Sequence, residues 1–286
     1  MKKIHSPLRL KQVVEYIDSI LSTLTYDQLL KVSMLQLDQT WRTWLTASTY
    51  NTVNGLDKFT HSTFIPGTTA AFGEFISRYP NRRIRVSRSD FVLTKILSRT
   101  YERLVVDLED GPLLFNDCLI VSFPFSGNGS LYPDVDLVLD QADALGVPVF
   151  IDAAYFGISH GVDYPLNRAC VQDIAFSLSK NLAGDPLRLG IRFTKHKVDD
   201  GASAALLGGD IFDRLGAAIS IKLLERYPHD WLVELLMPYN EIICGCHNLR
   251  PTNTLTITLG SSAYYAEYSR GDYTRVVISD ELSSRA

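Results

Sequence analysis

The sequence lacks the features of several special classes of protein. Its 286 residues include four cysteines, too few for the disulfide framework that holds small secreted domains together. No apolar run reaches the roughly 18–20 residues of a membrane-spanning helix. The net charge of −4 provides no positive excess of the kind that binds nucleic acid. We therefore expect a globular protein that binds neither nucleic acid nor a membrane.

The beginning of the chain also lacks an apolar stretch of the signal-peptide type. Gln12, Glu15 and Asp18 interrupt the stretch MKKIHSPLRLKQVVEYIDSIL. Near the other end, CGCH contains Cys244 and Cys246, but no second pair of ligands stands at a spacing suited to a metal ion. A strand with small residues near a turn is the better interpretation of CGCH. We expect a cytoplasmic protein without a metal site.

The spacing of apolar residues predicts the helices and strands. Helical spacing covers residues 8–24 and 26–46, and it returns after residue 200 with a break near Pro228. Between about residues 60 and 200, short apolar runs alternate with helical segments. The runs include DCLIVSFPF, VPVFID, IAFSLS and LGIRFT, as expected for strands buried on both faces of a sheet. Nearer the end, TNTLTITLG and TRVVISDEL are also typical of strands.

This alternation predicts an α/β fold with a mostly parallel central sheet sandwiched by helices. We place this large domain at residues 48–200. Residues 1–47 and 201–286 are expected to form a smaller α+β domain, because the two ends of a chain often meet.

Polar residues follow two of the buried strands, at the edge where open α/β sheets bind ligands. Asp152 ends VPVFID, and a carboxylate there needs a cationic partner, either a structural one or a protonated ring nitrogen. Lys180 follows IAFSLS directly, with Ser177 and Ser179 as nearby hydroxyl donors. A lysine in this place can form an imine with an aldehyde. Arg188 comes eight residues later and offers a fork that matches phosphate oxygens.

A candidate anion site lies between the first strand of this region and the helix after it. The stretch Pro66-Gly67-Thr68-Thr69 opens that helix. Glycine lets the backbone approach an anion, and the first N–H groups of a helix are free to bind it. Either threonine could instead simply cap the helix with its hydroxyl.

An anion cradle, a carboxylate, an amine and an arginine are the groups that pyridoxal phosphate needs. The order Asp-x-x-Tyr, Ser-x-Ser-Lys and Arg-x-Gly resembles the fold-type I pyridoxal-phosphate enzymes of the class I/II aminotransferase superfamily. The resemblance implies that Asp152 pairs with the pyridine nitrogen, Tyr155 bonds the ring hydroxyl and Lys180 carries the cofactor as a Schiff base. It also implies a phosphate site formed by Gly67, Thr68, Ser177 and Arg188, with Thr69 and Ser179 as further cofactor-binding residues.

Other positions extend the resemblance from about residue 60 to the end of the chain. Phe91 lies where the family stacks an aromatic ring on the cofactor, although a core phenylalanine explains it equally well. Arg275, in YTRVVISDELS, lies where the family grips the substrate α-carboxylate. The stretch FPFSGNGS departs from the family's Asn-Pro-Thr-Gly, because Ser126 replaces the asparagine that faces the ring. Asn128 lies two residues away, and either side chain could bond the ring oxygen.

The resemblance implies an aminotransferase that exchanges an amino group between an amino acid and a keto acid through Lys180. The alternative is elimination, decarboxylation, racemisation or cyclisation of an amino acid in a specialised biosynthetic pathway, because the same cofactor and fold support all of them. A binding protein that has kept the fold and lost turnover is a second alternative. Enzymes of this family are usually homodimers, and Tyr50 either reaches the partner's site or lies on the surface.

Overall fold

The computed structural model describes residues 7–184 and 186–286. Within this part of the chain, the helices are α1 Lys11–Thr23, α2 Tyr26–Lys31, α3 Met34–Thr46, α4 Thr68–Arg78, α5 Val92–Thr100, α6 Val135–Leu145, α7 Gly201–Gly209, α8 Arg214–Arg226, α9 Trp231–His247, α10 Ser262–Tyr265 and α11 Ser279–Arg285. The strands are β1 Asn51–Thr52, β2 His61–Ile65, β3 Arg83–Val86, β4 Val105–Asp107, β5 Asp117–Ser122, β6 Val149–Ala153, β7 Val162–Asp163, β8 Val171–Ser177, β9 Gly190–Thr194, β10 Arg250–Pro251, β11 Ile257–Leu259, β12 Ser269–Arg270 and β13 Tyr273–Val277.

The main sheet has seven strands in the order β2-β9-β8-β6-β5-β3-β4. Strand β9 runs antiparallel to both of its neighbours, and the other strands run parallel to one another. Every residue of β5, β6 and β9 is buried, as expected for largely apolar strands that are covered on both faces. The predicted α/β fold with a mostly parallel sheet is therefore confirmed.

Helices cover both faces of this sheet. On one face, Phe72 and Phe75 of α4 pack against Phe150 of β6, with ring centroids 5.4 and 5.5 Å apart. The next residue along β6, Ile151, points to the opposite face because side chains alternate along a strand. It belongs to the larger apolar core, which also contains Trp41 of α3. The sheet thus separates two cores and supports the residues at its edges.

A second sheet of four antiparallel strands, in the order β10-β11-β13-β12, is built from the last part of the chain. Helix α9 lies against α11, and α3 lies against α8, so N-terminal and C-terminal helices meet. The domain boundaries at residues 47 and 200 stay a prediction. None of the helices in the described residues combines the length and the apolar character needed to cross a bilayer.

Three local predictions from the sequence were wrong. The stretch CGCH is not a strand but the end of helix α9, where Cys244 lies on the buried face and Cys246 on the exposed face. The strand predicted over TRVVISDEL ends at Val277, and helix α11 begins two residues later. The helical stretch 26–46 is two helices, because hydroxyl caps at Thr25 and Ser33 start α2 and α3 separately.

A buried ion pair ties strand β9 to helix α7. The Arg192 guanidinium donates two hydrogen bonds to the Asp200 carboxylate, at 2.7 and 3.0 Å, and both side chains are inaccessible to solvent. Asp200 also accepts a 3.0 Å bond from the backbone N–H of Ser203 and so caps α7. Burial alone would raise the pKa of Asp200, but the hydrogen bonds from Arg192 lower it below its usual value. The charges are therefore paired in the folded protein.

We predict that Asp200→Ala lowers the free energy of unfolding by about 3–5 kcal/mol at pH 7, because it leaves the Arg192 charge buried without its partner. Since the Asp200 pKa is depressed on folding, the stabilisation is present above the pKa of the unfolded carboxyl and is lost as the pH falls. Urea unfolding at several pH values measures both effects. The matched control is Asp199→Ala at the exposed neighbouring position. Equal losses in the two variants would contradict the assignment.

Candidate active site

The strand register brings the predicted site residues to one edge of the main sheet. Ile65 at the end of β2 and Ser177 at the end of β8 both pair with Gly190, the first residue of β9. Asp152 of β6 pairs with Ala175 of β8, near the same edge. Segments that follow β2, β6 and β8, and the segment that precedes β9, therefore meet. This explains why residues far apart in sequence can form one site.

A cavity of about 460 Å³ opens at this edge. Among the residues proposed from the sequence, the cavity is lined by Thr68, Thr69, Phe91, Ser126, Asp152, Tyr155, Ser177, Ser179, Lys180, Arg188 and Arg275. Phe91 also packs against the smaller apolar core, as a core phenylalanine does, and its stacking on a cofactor stays a prediction.

Three other candidate residues do not line the cavity. Gly67 directly precedes α4 and lies against Arg188, which does line the cavity. The Asn128 side chain donates to the carbonyl of Leu131 and accepts from the N–H of Ser130, and so braces its own loop. Tyr50 is half-buried against the larger core.

The two serines before Lys180 fix the position of Arg188. Ser177 Oγ donates to the backbone carbonyl of Leu189, and Ser179 Oγ donates to that of Leu187, each at 3.1 Å. Ser179 N–H in turn donates to Ser177 Oγ at 3.1 Å. The Ser-x-Ser pattern thus clamps the two carbonyls that flank Arg188. The eight-residue spacing between Lys180 and Arg188 therefore reflects the length of the loop that connects β8 to β9.

Arg188 closes a cradle at the start of α4. Gly67 has a φ of +79°, and a Cβ at this position would lie 2.6 Å from Arg188 Nη2, so a side chain there would displace the guanidinium. Arg188 Nη2 also donates to Thr69 Oγ1 at 3.3 Å. Neither threonine is the N-cap, because Gly67 occupies that position without a side-chain cap. The helix N–H groups, the Thr69 hydroxyl and the guanidinium together suit a phosphate group.

Asp152 is a buried acid without an ion-pair partner among the described residues. Burial raises its pKa to about 7, the neighbouring Asp90 charge adds to the increase, and a hydrogen bond from Thr68 and the charge of Lys180 oppose it. Its Oδ1 accepts a 3.1 Å bond from the backbone N–H of Ala154. A cationic group placed in the cavity against this carboxylate would restore its charge.

Sequence reasoning missed Asp90, which lies behind Ser126. The Asp90 carboxylate is buried and accepts bonds from the hydroxyls of Ser122 and Ser126, the second at 2.7 Å, and from the N–H of Phe91 at 2.7 Å. The Ser126 proton therefore points away from the cavity, and Ser126 presents an acceptor to it. Only the folded chain reveals this contact, since 36 residues separate Asp90 from Ser126.

Sequence reasoning also missed Arg270, which lines the cavity beside Arg275. Arg275 Nη2 donates to Tyr155 Oη at 3.3 Å, so the predicted carboxylate-binding arginine touches the predicted ring-binding tyrosine. Arg270 could have been found from the stretch SRGDYTR. Its Gly-Asp pair predicts a tight hairpin turn, and this turn places both arginines on one face.

The side chains of the cavity fit pyridoxal phosphate. The cradle of Gly67, Thr69 and Arg188 matches its phosphate. The buried Asp152, which has no ion-pair partner in the described part of the chain, matches a protonated ring nitrogen. Lys180 lines the same cavity and acts electrostatically on Asp152. The site therefore places a lysine amine and a buried carboxylate, whose charged form a cation would stabilise, around one cavity.

Similar solved structures have this fold. An aromatic aminotransferase from Pyrococcus horikoshii OT3 superposes with a TM-score of 0.66 at 13% identity, covering 98% of this chain and 92% of that one. A pyridoxal-phosphate-bound C-S lyase from Staphylococcus hominis gives 0.71 at 11%, covering 98% and 85%. An L-threonine-O-3-phosphate decarboxylase from Porphyromonas gingivalis gives 0.60 at 13%, covering 91% and 84%.

No protein-family model matches the sequence, and no curated protein matches it either. At identities of 11 to 13%, these structures show the shared fold alone. That fold is the aminotransferase-like fold of the fold-type I pyridoxal-phosphate enzymes, as the sequence resemblance implied. The neighbours carry out different reactions, so the fold does not select one.

We predict that Asp152→Asn stabilises the cofactor-free protein at pH 8. The folded carboxyl keeps its proton up to about pH 7, whereas an unfolded aspartate ionises near pH 4, so the wild-type free energy of unfolding falls as the pH rises between these values. The amide cannot ionise and avoids this loss, which is on the order of 2–4 kcal/mol.

Chemical unfolding of both proteins at pH 4.5 and pH 8 measures the difference. Asp163→Asn, at an exposed position of β7, is the matched control and should follow the wild type at both pH values. A wild-type protein whose stability does not fall between these pH values would contradict the raised pKa of Asp152.

Proposed function

We propose that the protein is a pyridoxal-phosphate-dependent aminotransferase that acts on an amino acid. One observation carries the proposal: Lys180 and the buried acid Asp152, which forms no ion pair within the described residues, line the same cavity as the Arg188 cradle. A lysine, an acid that a cation would stabilise in its charged form, and an anion site line one cavity. These groups match the aldehyde, the protonated ring nitrogen and the phosphate of the cofactor. The solved neighbours support the proposal, since one of those described above is an aminotransferase and another is an enzyme with bound pyridoxal phosphate.

The chain's own residues would hold the cofactor at three points. The Arg188 guanidinium, the Thr69 hydroxyl and the N–H groups at the start of α4 would bind the phosphate. Asp152 would accept the ring N–H bond and ionise in response to that positive charge. Phe91, which is fixed by the smaller core, offers a flat apolar surface to the ring. When bound, the cofactor supplies an electron sink for charge that develops at the α-carbon of the amino acid.

Two side chains would act on the substrate. The Lys180 amine would take the proton from the α-carbon and return it elsewhere, which requires that the amine be neutral at that moment. Arg275, buried and bonded to Tyr155, would bind the α-carboxylate and hold the α C–H bond in a fixed direction. The Ser177 and Ser179 hydroxyls would hold Arg188 at a fixed position relative to Lys180, because they bond the backbone carbonyls on both sides of Arg188.

A different reaction of an amino acid is the alternative function. A lyase and a decarboxylase are among the solved neighbours, and Ser126 at the ring edge gives this chain an acceptor where the family has an amide. A binding protein without turnover is less well supported, because the lysine, acid, tyrosine and arginine all line the cavity. A homodimer, a biosynthetic role and a cytoplasmic location remain part of the proposal.

We predict that the protein binds pyridoxal phosphate with a yellow absorption band, and that Lys180→Arg abolishes the band because a guanidinium does not form an imine. Turnover of the variant should fall at least about a thousandfold. Lys58→Arg, at an exposed position, is the control and should keep both properties.

Product analysis then separates the candidate functions. An aminotransferase forms a keto acid and needs an acceptor keto acid for repeated turnover. Release of ammonia or carbon dioxide independent of an acceptor would instead favour the alternative reaction. A wild-type protein that stays colourless after incubation with the cofactor would favour the binding protein.

A further inference from the structure

Asp90 is a second buried acid, which lies behind the wall of the cavity and one strand away from Asp152. Its carboxylate accepts a hydrogen bond from the Ser122 hydroxyl and a 3.2 Å bond from the Ser122 N–H. Ser122 of β5 lies directly opposite Asp152 of β6. Within residues 7–184 and 186–286, no basic side chain forms an ion pair with Asp90. Hydrogen-bond donors therefore stabilise this carboxylate in place of a cation.

The hydrogen bonds of Asp90 determine where the Ser126 proton points. Asp90 Oδ1 accepts a 2.7 Å bond from the N–H of Phe91, so this oxygen presents lone pairs. Ser126 Oγ lies 2.7 Å from the same oxygen and donates its only proton to it. Because Ser126 lines the cavity, it presents only lone pairs there. Asp90 thus makes Ser126 a hydrogen-bond acceptor.

Arg270 also approaches Ser126 but leaves it able to accept a bond from the cavity. Arg270 Nη2 lies 3.5 Å from Ser126 Oγ and forms a shorter bond, of 3.0 Å, to the backbone carbonyl of Asp90. A hydroxyl oxygen has two lone pairs. One of them therefore remains for a donor in the cavity, even when Arg270 uses the other.

The charges around the cavity act on a bound ring hydroxyl in opposite directions. The cations favour its ionised form, and the acids disfavour it. The cations are Lys180, Arg188, Arg270 and Arg275, and the acids are Asp90, Asp152 and Glu267. Tyr155 accepts a 3.3 Å bond from Arg275, so its own proton is free to be donated. The contact with Ser126 differs from these effects because an acceptor stabilises only an oxygen that carries its proton.

We propose that Asp90 is a positioning residue that fixes Ser126 as a hydrogen-bond acceptor, so that the ring hydroxyl of the bound cofactor keeps its proton and donates it to Ser126. This inference rests on the proposed function, in which the cavity holds pyridoxal phosphate. An amide at position 126 would offer N–H donors as well as a carbonyl, and could stabilise the ionised oxygen instead. A serine backed by a carboxylate reverses the polarity of this contact.

Pyridoxine 5′-phosphate tests the inference without turnover, because it has the ring hydroxyl and the phosphate but no aldehyde that could react with Lys180. Ionisation of the ring hydroxyl changes its ultraviolet spectrum, so a pH titration of the bound compound measures the pKa of that hydroxyl. Ser126→Ala should lower this pKa by about 0.5–1 unit, because the protonated oxygen loses its acceptor. Ser126→Asn should lower it further, because the amide can donate. A pKa that rises or stays unchanged in Ser126→Ala would overturn the inference.

A double-mutant comparison tests whether Asp90 acts through Ser126. Asp90→Asn should lower the pKa of the ring hydroxyl, because the amide can donate to Ser126 and release the serine proton towards the cavity. In the Ser126→Ala background the same substitution should have a smaller effect, since only the loss of the Asp90 charge remains. Equal effects in the two backgrounds would contradict the positioning role.

Two matched controls should leave the pKa of the ring hydroxyl unchanged. Ser130→Ala changes a serine four residues further along the same loop and outside the cavity, and Asp110→Asn changes an exposed acid. Thermal unfolding identifies any variant that has lost its structure, and the Ser126 variants decide the matter if Asp90→Asn does not fold. A protein that forms the yellow band but fails the Ser126 test would refute the inference and leave the proposed function intact. Failure both to form the band and to bind pyridoxine 5′-phosphate would refute both.

Discussion

The buried carboxylate of Asp152 is the constraint on which the rest of the site depends. An acid enclosed at the edge of the main sheet, with an N–H and a hydroxyl as its hydrogen-bond donors, retains its proton near neutral pH. A cation placed against it in the cavity would favour its charged form. The carboxylate disfavours the empty site and favours a ligand that is cationic where it meets Asp152. In the cofactor-free protein, this raised pKa costs stability as the pH rises from about 4 to about 7.

The main sheet supplies the geometry that makes this constraint useful. Antiparallel β9 returns between β2 and β8, so that Arg188 arrives beside the start of α4 instead of at the opposite edge. The hydroxyls of Ser177 and Ser179 hold that return loop at its two flanking carbonyls. The small sheet then covers the other end of the cavity with the hairpin that carries Arg270 and Arg275. Arginine side chains therefore line both ends of a cavity whose middle holds the acid and the lysine.

The sequence predicted the parts of this site that follow directly from strand ends. Asp152 and Lys180 each end an apolar run, and the side on which they emerge follows from the parallel sheet. Contacts between distant segments could not be predicted in this way. Asp90 becomes significant only when the loop with Ser126 folds over it, and Arg270 only when hairpin register sets its face. The CGCH stretch was wrongly predicted to be a strand, because four residues alone do not reveal the long helix whose C-terminal end they form.

The most direct test of the account is a carbon-13 NMR titration of the Asp152 carboxyl, with and without pyridoxal phosphate. The account predicts a midpoint at about pH 7 in the cofactor-free protein and a midpoint at least about two units lower in the loaded protein, because a cationic ring nitrogen then stabilises the carboxylate. A midpoint that stays unchanged or rises when the cofactor binds would contradict it, since Asp152 would then not be the partner of the ring.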